Sequence, residues 1–191
     1  FVVCDPGMLR TLSDREFRAG LAEVVKAAVI ADAGLFARIE ATTFDALRSD
    51  TDLLTDAVSA SIRVKADIVE RDERESGDRR KLNLGHTLAH AIEKCTNRLN
   101  HGEAVAVGTA LIADASVKLG VLAAEDRDRI AGVLKKLGFD LTPPVDVKRL
   151  LKEVDKDKKN EDGMLRIVVP VGIGDCDVRR MSHDEFAALF A

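Results

Sequence analysis

The segment 101–119 constrains the fold more than any other, because as a helix it would be apolar on most of its faces. Asn100, a residue type favoured at helix N-caps, stands before it, and Gly120, a usual residue just beyond a helix C-terminus, follows it. Its apolar side chains include Ala104, Val105, Val107, Ala110, Leu111 and Ile112. A helix that is apolar all round is normally buried. We therefore expect this helix to be central in the molecule.

Helical patterns account for most of the remaining chain. Apolar residues at spacings of three and four predict helices at about 14–30, 35–40, 52–70, 84–97, 124–137 and 147–154, with a last short helix beginning near Ser182. Strand-like runs are confined to residues 1–6 and 165–171. We expect a mainly α fold, a helical bundle with short peripheral strands, formed as one domain by residues 1–191. Because the chain opens on Phe1 with a strand that runs directly into helices, we expect a piece of a longer protein.

Composition and charge argue against several classes of partner. The net charge is −4, and no segment combines Lys and Arg with aromatic residues, so nucleic acid is not expected to bind. The longest apolar run, residues 104–113, is about half the ~20 residues that a membrane-spanning helix needs, so no membrane partner is expected. Cys4, Cys95 and Cys176 are far apart and odd in number, which fits a reducing cytoplasm better than a disulfide framework.

Three of the four histidines lie within residues 86–101. His86 and His90 are four residues apart, which places both on one face of a helix. Catalytic zinc sites use three protein ligands, typically histidine with a carboxylate, and leave one position open. The sequence therefore predicts a divalent-metal site, with candidate ligands Glu23, His86, His90, Glu93, His101 and Glu103. Spacing alone favours His86 and His90 with a third ligand elsewhere. The alternative is that these histidines are ordinary surface or hydrogen-bonding residues.

Four basic residues indicate an anionic substrate, because phosphate and carboxylate groups need charge-assisted donors. They are Lys26, Lys65, Arg79 and Lys158. Simpler interpretations are available for three of them. Lys26 and Glu23 are three residues apart and can form a surface ion pair. Lys65 falls in an apolar helix stripe, from which a lysine usually extends its ammonium group to water. Arg79 belongs to the charged stretch 71–81, whose composition is typical of a solvated loop.

Several blocks, taken together and in order, resemble the 3-dehydroquinate synthases, and specifically their helical C-terminal half. The blocks are Asp5-Pro6, Gly20-Leu21-Ala22-Glu23-Val24-Val25-Lys26, Lys65-Ala66-Asp67-Ile68-Val69, Asp72-Glu73-Arg74-Glu75, Arg79, Leu82-Asn83-Leu84-Gly85-His86-Thr87, His90-Ala91-Ile92-Glu93, His101-Gly102-Glu103-Ala104-Val105 and Asp157-Lys158-Lys159. Each block alone is a weak signal, but the combination covers nearly the whole chain and is specific.

The resemblance implies a role for each matched residue. It assigns Glu23, His86 and His101 to a zinc ion (or Co²⁺), which separates His86 from His90. It makes Lys26, Lys65 and His90 catalytic residues that contact substrate, and it adds further substrate contacts from Arg79, Asn83 and Lys158. Glu75 matches a position behind the groups that touch the substrate. The choice between Lys158 and Lys159 stays open in the resemblance, and we prefer Lys158.

The resemblance also implies a reaction. In the family, a seven-carbon phosphorylated keto sugar acid, 3-deoxy-arabino-heptulosonate 7-phosphate, becomes 3-dehydroquinate and phosphate in the shikimate route to aromatic amino acids, with NAD as cofactor. NAD is bound mainly by an N-terminal domain that this chain lacks, since Gly172-Ile173-Gly174 has no dinucleotide-binding context. We therefore expect this chain to fold but not to catalyse the reaction by itself. We expect the full-length enzyme to be a homodimer.

Other functions remain open at this point. The sibling sugar-phosphate cyclases, which include the amino-dehydroquinate, 2-deoxy-scyllo-inosose and valiolone synthases, are the nearest alternatives. Asn83 and the Asp157-Lys158-Lys159 block resemble the dehydroquinate type, although the amino variant would share them. The related metal-dependent alcohol dehydrogenases are more distant, because their metal sites normally include an aspartate and more histidines. A non-catalytic metal-binding module is the alternative from a different class.

Overall fold

The computed structural model describes residues 1, 3–74, 77–156 and 163–191. Its helices are α1 (Asp14–Ala31), α2 (Ala33–Glu40), α3 (Phe44–Ser49), α4 (Thr51–Arg71), α5 (His86–Cys95), α6 (His101–Lys118), α7 (Ala124–Lys136), α8 (Val147–Lys156) and α9 (His183–Ala188). Two 3-10 helices (Pro6–Thr11 and Asp78–Asn83) and two strands, β1 (Met164–Gly172) and β2 (Asp175–Ser182), complete the described elements. The expectation of a mainly α fold is confirmed.

Helix α6 is the central helix that its sequence predicts. It contacts α1, α5, α7 and β1, and its buried residues run from Gly102 to Ser116. Asn100 caps it: the Asn100 side chain accepts a hydrogen bond from the Glu103 backbone N–H at 2.9 Å, and the Glu103 carboxylate accepts one from the Asn100 N–H at 2.8 Å. This capping box fixes where the helix begins. Among the described residues, no helix has both the length and the apolarity needed to span a bilayer.

Two glycines let neighbouring backbones lie directly on α6. A Cβ added at Gly102 would lie 2.2 Å from the Ala19 carbonyl oxygen on α1. A Cβ added at Gly108 would lie 2.3 Å from the carbonyl oxygen of Gly85, the residue just before α5. Both distances are far inside van der Waals contact, so any side chain at these positions would push the helices apart. The packing of α1 and α5 on α6 therefore depends on the absence of a Cβ at these two points.

The two strands form an antiparallel hairpin that belongs to the core. Val168 pairs with Val178, Ile167, Val168 and Val169 are buried, and β1 contacts both α1 and α6. The sequence predicted only the first strand. The second strand is mostly polar, and only Cys176 and Met181 are buried in it, so it lacks an apolar signal. The hairpin is thus a small addition to the helical fold that contributes buried side chains to the core.

Two further local differences concern the N-terminal part of the chain. Phe1 and residues 3–5 are not in a strand, and Asp5 instead caps the 3-10 helix Pro6–Thr11 by accepting from the Gly7 N–H at 2.8 Å. Helix α3 was not predicted. It is six residues long, begins after the Thr43 cap and buries only Leu47, so its periodic signal is too short to recognise.

The contact at Gly102 can be tested by adding one methyl group. We expect Gly102→Ala to lower the free energy of unfolding by about 1–3 kcal/mol, as overpacking usually does. Gly132→Ala is the matched control, because Gly132 lies inside α7, is exposed, and a Cβ there meets nothing within 4 Å. That control should raise the stability by up to about 1 kcal/mol. Urea unfolding followed by circular dichroism measures both, and equal stability of the two variants would contradict the packing argument.

Candidate metal centre and substrate cavity

Three potential metal ligands meet where α1, α5 and α6 converge. Glu23 lies in the middle of α1, while His86 and His101 are the first residues of α5 and α6. One ligand atom from each lies within 4.8 Å of the others. The Nε2 atoms of His86 and His101 are 3.8 Å and 3.4 Å from Glu23 Oε1. The described residues contain no second group of three such ligands.

Gly85 and Leu84 set the position of His86. Gly85 has φ +76°, and a Cβ there would lie 2.5 Å from the Thr109 hydroxyl on α6, so this turn into α5 requires glycine. The Leu84 carbonyl oxygen lies 3.0 Å from His86 Nδ1. A carbonyl can only accept, so Nδ1 carries the hydrogen in the neutral ring. The lone pair is then on Nε2, which is the nitrogen that faces Glu23.

Glu103, one of the six candidate ligands, is occupied elsewhere. Both its oxygens accept from Arg15, at 2.8 Å from Nε and 2.6 Å from Nη2, in addition to the capping contact with Asn100. The hydrogen bond from Arg15 lowers the pKa of Glu103, with a further contribution from the Asn100 N–H. Glu103 therefore holds the start of α6, and with it His101, without joining the ligand group.

His90 and Glu93 border the ligand group from α5. The centroid of the exposed His90 ring lies 5.5 Å from that of His86 and 6.5 Å from that of His101. Glu93 Oε1 lies 3.1 Å from Nδ1 of His101, on the opposite side of the ring from Glu23. The structure therefore places His86 with Glu23 and His101, and His90 one helical turn further along α5.

Charge around Glu23 keeps this carboxyl group ionised. Burial alone would raise the pKa of Glu23, but the charge and hydrogen bond of Lys26, together with the two imidazoles, outweigh it and lower the pKa. Lys26 Nζ is 2.6 Å from Glu23 Oε2, and only 8% of Lys26 is exposed. Burial and the charge of Lys26 also lower the pKa of His86. A carboxylate and a neutral imidazole are the forms that bind metal ions.

The ligand group forms one wall of a cavity of about 550 Å³. The cavity gathers predicted site residues from five elements: Glu23 and Lys26 from α1, Lys65 from α4, Arg79 and Asn83 from the 3-10 helix Asp78–Asn83, His86 from α5 and His101 from α6. Apolar side chains of Ala27, Ile62 and Leu82 complete the wall. Lys65 therefore faces the cavity. Three basic residues, Lys26, Lys65 and Arg79, therefore lie beside the ligand group.

Asp72 explains how the charged stretch 71–81 reaches this cavity. Asp72 Oδ2 accepts from the backbone N–H groups of Gly77 at 2.7 Å and Arg79 at 3.0 Å. Arg79 in turn donates to the Glu73 carbonyl at 2.7 Å. This turn leads into the 3-10 helix that carries Arg79 and Asn83, so the part of the stretch from Asp78 is ordered structure where we expected a solvated loop. Glu75 and Lys158 lie outside the described residues.

A second cavity, of about 280 Å³, lies between α5, α8 and β1. Asn83 and His86 line both cavities, and His90 lines only this one. Lys94 and Arg166 also contribute to its wall, and sequence analysis did not select them. Lys94 directly follows Glu93, but Arg166 lies on β1, far from every predicted ligand in the chain, so only the tertiary structure reveals its place beside this cavity.

A third cavity has different chemistry. It has a volume of about 580 Å³ and lies between α6 and α7. Its Arg127 is paired with Asp114 at 2.6 Å and with Asp128 at 2.7 Å. None of the predicted site residues lines it. This cavity therefore lacks the combination of ligand atoms and basic residues that the cavity beside Glu23 has.

Residues 20–160 match the family model of the 3-dehydroquinate synthase C-terminal domain. The chain belongs to this family. The resemblance drawn from the sequence blocks is therefore confirmed. The 3-dehydroquinate synthase of Nitrosospira multiformis is 44% identical over 176 residues, which are 91% of this chain and 48% of the relative. The 3-dehydroquinate synthase of Halorhodospira halophila is 44% identical over 180 residues, which are 93% of this chain and 51% of that relative. The chain spans about half the length of the curated relatives it matches.

Solved structures of sugar-phosphate cyclases share the fold of this family member. The 2-epi-5-epi-valiolone synthase ValA of Streptomyces hygroscopicus, determined with NAD⁺ and Zn²⁺ bound, matches with a TM-score of 0.85 and 26% identity over 97% of this chain and 53% of ValA. A 2-deoxy-scyllo-inosose synthase determined with carbaglucose-6-phosphate, NAD⁺ and Co²⁺ matches with a TM-score of 0.78 and 21% identity. The match covers 97% of this chain and 53% of that synthase. At that identity, the second match shows the fold alone.

The effect of Lys26 on Glu23 can be measured directly. We expect Lys26→Met, which keeps the length of the side chain and removes its charge, to raise the pKa of Glu23 in the metal-free chain. In the wild type the pKa of Glu23 is lowered by folding, so its stabilising contribution is present above the unfolded pKa and is lost as pH falls through the folded one. In the variant this contribution should be smaller, and its loss should be complete at a higher pH than in the wild type.

A carboxyl ¹³C NMR titration of Glu23 tests this effect. Lys65→Met is the matched control, since it removes the same charge from the same cavity and Lys65 is not among the groups that shift Glu23. An unchanged Glu23 pKa in Lys26→Met, or an equal rise in both variants, would show that the Lys26 contact does not control this carboxyl group.

Proposed function

We propose that this chain is the metal- and substrate-binding part of a 3-dehydroquinate synthase, which converts 3-deoxy-arabino-heptulosonate 7-phosphate to 3-dehydroquinate and phosphate. The observation that carries the proposal is the convergence of Glu23, His86 and His101 at the wall of a cavity that also contains Lys26, Lys65, Arg79 and Asn83. The 44% identity to curated 3-dehydroquinate synthases supports the same reaction.

The residues fit a zinc ion, or a cobalt ion in its place. Two neutral imidazoles and one carboxylate are a usual catalytic zinc set, with a further position left open for substrate. Glu23 Oε1 is buried and accepts no hydrogen bond, although it faces both Nε2 atoms. An ion bound by these three groups would satisfy this oxygen. When bound, it would supply Lewis-acid polarisation of the substrate hydroxyl and carbonyl oxygens.

The two neighbouring cavities suit a substrate that is anionic at both ends. Such a sugar acid carries a carboxylate and a phosphate, and both need charge-assisted donors. Lys65 and Arg79 line the first cavity only, His90 lines the second only, and Asn83 and His86 lie at their shared boundary. We propose that the substrate spans this boundary, and that Lys26, Lys65 and His90 act on it directly. The proposed contact from Lys158 and the supporting role of Glu75 remain predictions, because both lie outside the described residues.

The reaction also needs NAD, which would accept and return a hydride. The described strands form one antiparallel hairpin, which is not the parallel strand–helix arrangement that binds dinucleotides. We propose that a separate N-terminal domain supplies NAD to the face that carries the ligand group. We further propose a homodimeric, cytoplasmic enzyme without nucleic-acid or membrane partners. The free state of Cys4, Cys95 and Cys176 agrees with the reducing compartment.

The sibling cyclases are the second candidate function. The fold match to the valiolone synthase favours them in part, because it is close over nearly the whole chain. Its 26% identity is nevertheless well below the 44% to the dehydroquinate synthases. Substrate choice within a shared fold depends on individual contacts. The difference in identity therefore favours the dehydroquinate reaction, and a substrate assay separates the two.

Metal binding tests the ligand set. We expect the wild-type chain to bind one zinc ion. Glu23→Gln, His86→Ala and His101→Ala should each lower the zinc affinity by more than about 100-fold. The reason is that losing even a residue that hydrogen-bonds to a metal ligand lowers metal affinity by about 10–100-fold. His90→Ala is the matched control and should retain zinc. Titration calorimetry and the absorption spectrum of the cobalt form measure this. Loss of zinc in His90→Ala together with its retention in Glu23→Gln would refute the assignment.

Turnover tests the reaction. We expect the isolated chain to release no phosphate from 3-deoxy-arabino-heptulosonate 7-phosphate. A fusion to the part of the Nitrosospira multiformis relative that this chain does not cover should release phosphate when NAD and zinc are present. In that fusion, Arg79→Ala should lower kcat/KM about 10–100-fold, as expected for the loss of a hydrogen bond to a charged group.

Two outcomes would contradict this proposal. Steady phosphate release by the isolated chain would show that no further domain is needed. A fusion that folds, binds zinc and NAD, and still leaves this substrate unchanged would exclude the dehydroquinate reaction. In that case, the substrates of the sibling cyclases provide the next assay.

A further inference from the structure

Glu93 contacts His101, the histidine of the ligand group whose Nδ1 meets a side-chain carboxylate, whereas Nδ1 of His86 meets a backbone carbonyl. Its Oε1 lies 3.1 Å from His101 Nδ1, while His101 Nε2 faces Glu23 Oε1 at 3.4 Å. The His101 ring therefore lies between two carboxylates, one on each nitrogen. It is also half exposed, so surrounding side chains restrain it less than they restrain His86, whose side chain is 13% exposed.

The two carboxylates compete for the single hydrogen of a neutral imidazole. A carboxylate can only accept, so whichever one receives the N–H determines which nitrogen keeps the lone pair. The contact with Glu93 has hydrogen-bond geometry, and the longer contact with Glu23 has only ion-pair distance. This difference favours the hydrogen on Nδ1. The lone pair is then on Nε2, which is the nitrogen that joins the ligand group.

His86 shows the same arrangement with a different acceptor. Its Nδ1 donates to the Leu84 carbonyl, and its Nε2 faces Glu23. Both imidazoles are thus held from Nδ1 and present Nε2 at the same place. For His86 the acceptor is part of the turn before α5 and cannot be removed by substitution. For His101 the acceptor is a side chain, and it can be removed.

We propose that Glu93 is a positioning residue that holds His101 in the Nδ1–H tautomer with Nε2 directed at the ligand group. The consequence for metal binding rests on the proposed function, whereas the tautomer does not. Glu93 contacts the ring nitrogen that faces away from Glu23, so it acts on the ion through His101. The competing explanation is an exposed ion pair with a protonated His101, which would leave the neutral ring without a preferred tautomer.

Two variants and a control test this role. Glu93→Ala removes the acceptor, and Glu93→Gln keeps an oxygen that can accept from Nδ1–H without the charge. Glu125→Ala removes the same side chain from an exposed position on α7, which lines neither site cavity. We expect zinc affinity to fall about 10–100-fold in Glu93→Ala and less than 10-fold in Glu93→Gln, and to be unchanged in the control.

NMR of the ring nitrogens measures the tautomer of His101, which would not change if Glu93 had only a structural role. Long-range ¹H–¹⁵N correlation of the metal-free chain, at a pH of about 8 where imidazole is neutral, should show His101 as the Nδ1–H tautomer in the wild type and in Glu93→Gln. In Glu93→Ala the ring should shift toward Nε2–H, while His86 stays unchanged. An unaltered His101 tautomer in Glu93→Ala would overturn the proposal.

The two measurements separate this proposal from the proposed function. If the wild type binds no zinc, the metal site is wrong, and the NMR comparison still decides the role of Glu93. If the wild type binds zinc and Glu93→Ala binds it equally well, the metal site stands and the positioning role is wrong. A comparable loss in Glu93→Gln and Glu93→Ala would also contradict it, because the hydrogen bond would then not be the determining contact.

Discussion

The candidate site depends on the close approach of two backbones to one helix. Helix α6 meets α1 at Gly102 and Ala19, and it meets the turn before α5 at Gly108 and Gly85. These contacts bring together the middle of α1 and the first residues of α5 and α6, which are the places that carry the three ligands. A displacement of one helix by the radius of a methyl group would separate ligand atoms that now lie within 4.8 Å of one another. The glycines therefore determine site geometry as well as packing.

The electrostatics of the site reflect two requirements that oppose each other. An anionic substrate needs positive charge, whereas a divalent cation is repelled by it. Lys26 illustrates the compromise, because it binds one oxygen of Glu23 at 2.6 Å and leaves the other facing the histidines. Its charge lowers the pKa of both Glu23 and His86, so it favours the protonation states that bind metal while it weakens the attraction for the ion itself. In the proposed function, the position of Lys26 would serve both the substrate and the ligands.

The parts of the fold and the site that sequence could predict are those with local signals. The central helix follows from its apolar faces and the Asn100 cap, and all the predicted helices are present with bounds within a few residues. Local spacing could not distinguish the surroundings of His86 from those of His90. Four residues apart on one helix, they look like a ligand pair, but His86 is the first residue of α5 and meets α1 and α6, whereas His90 borders the second cavity. The family resemblance assigns them different roles because it matches each histidine to a position in a family motif, and such positions reflect the folded structure as well as the local spacing.

Other parts required tertiary structure. The contact of Glu93 with His101 joins different helices, and Arg166 reaches the wall of the second cavity from β1, which is far from α5 in the chain. Glu103 looked like a ligand by residue type, and only the structure shows that Arg15 and Asn100 use its oxygens. Residue type identifies which groups are able to do the chemistry. The distribution of those groups between capping, positioning and binding is decided by contacts between elements far apart in the chain.

The placement of both histidines at helix starts adds a final constraint. The N-terminus of a helix carries partial positive charge, which disfavours a protonated imidazole and a bound cation alike. It attracts anions, so the starts of α5 and α6 favour the carboxylate or phosphate of a substrate. A metal ion at this point needs compensating negative charge, and Glu23 and Glu93 are the acidic residues in contact with the two rings. In the proposed function, the same two helix ends that would attract the substrate would therefore make these carboxylates necessary for the ion.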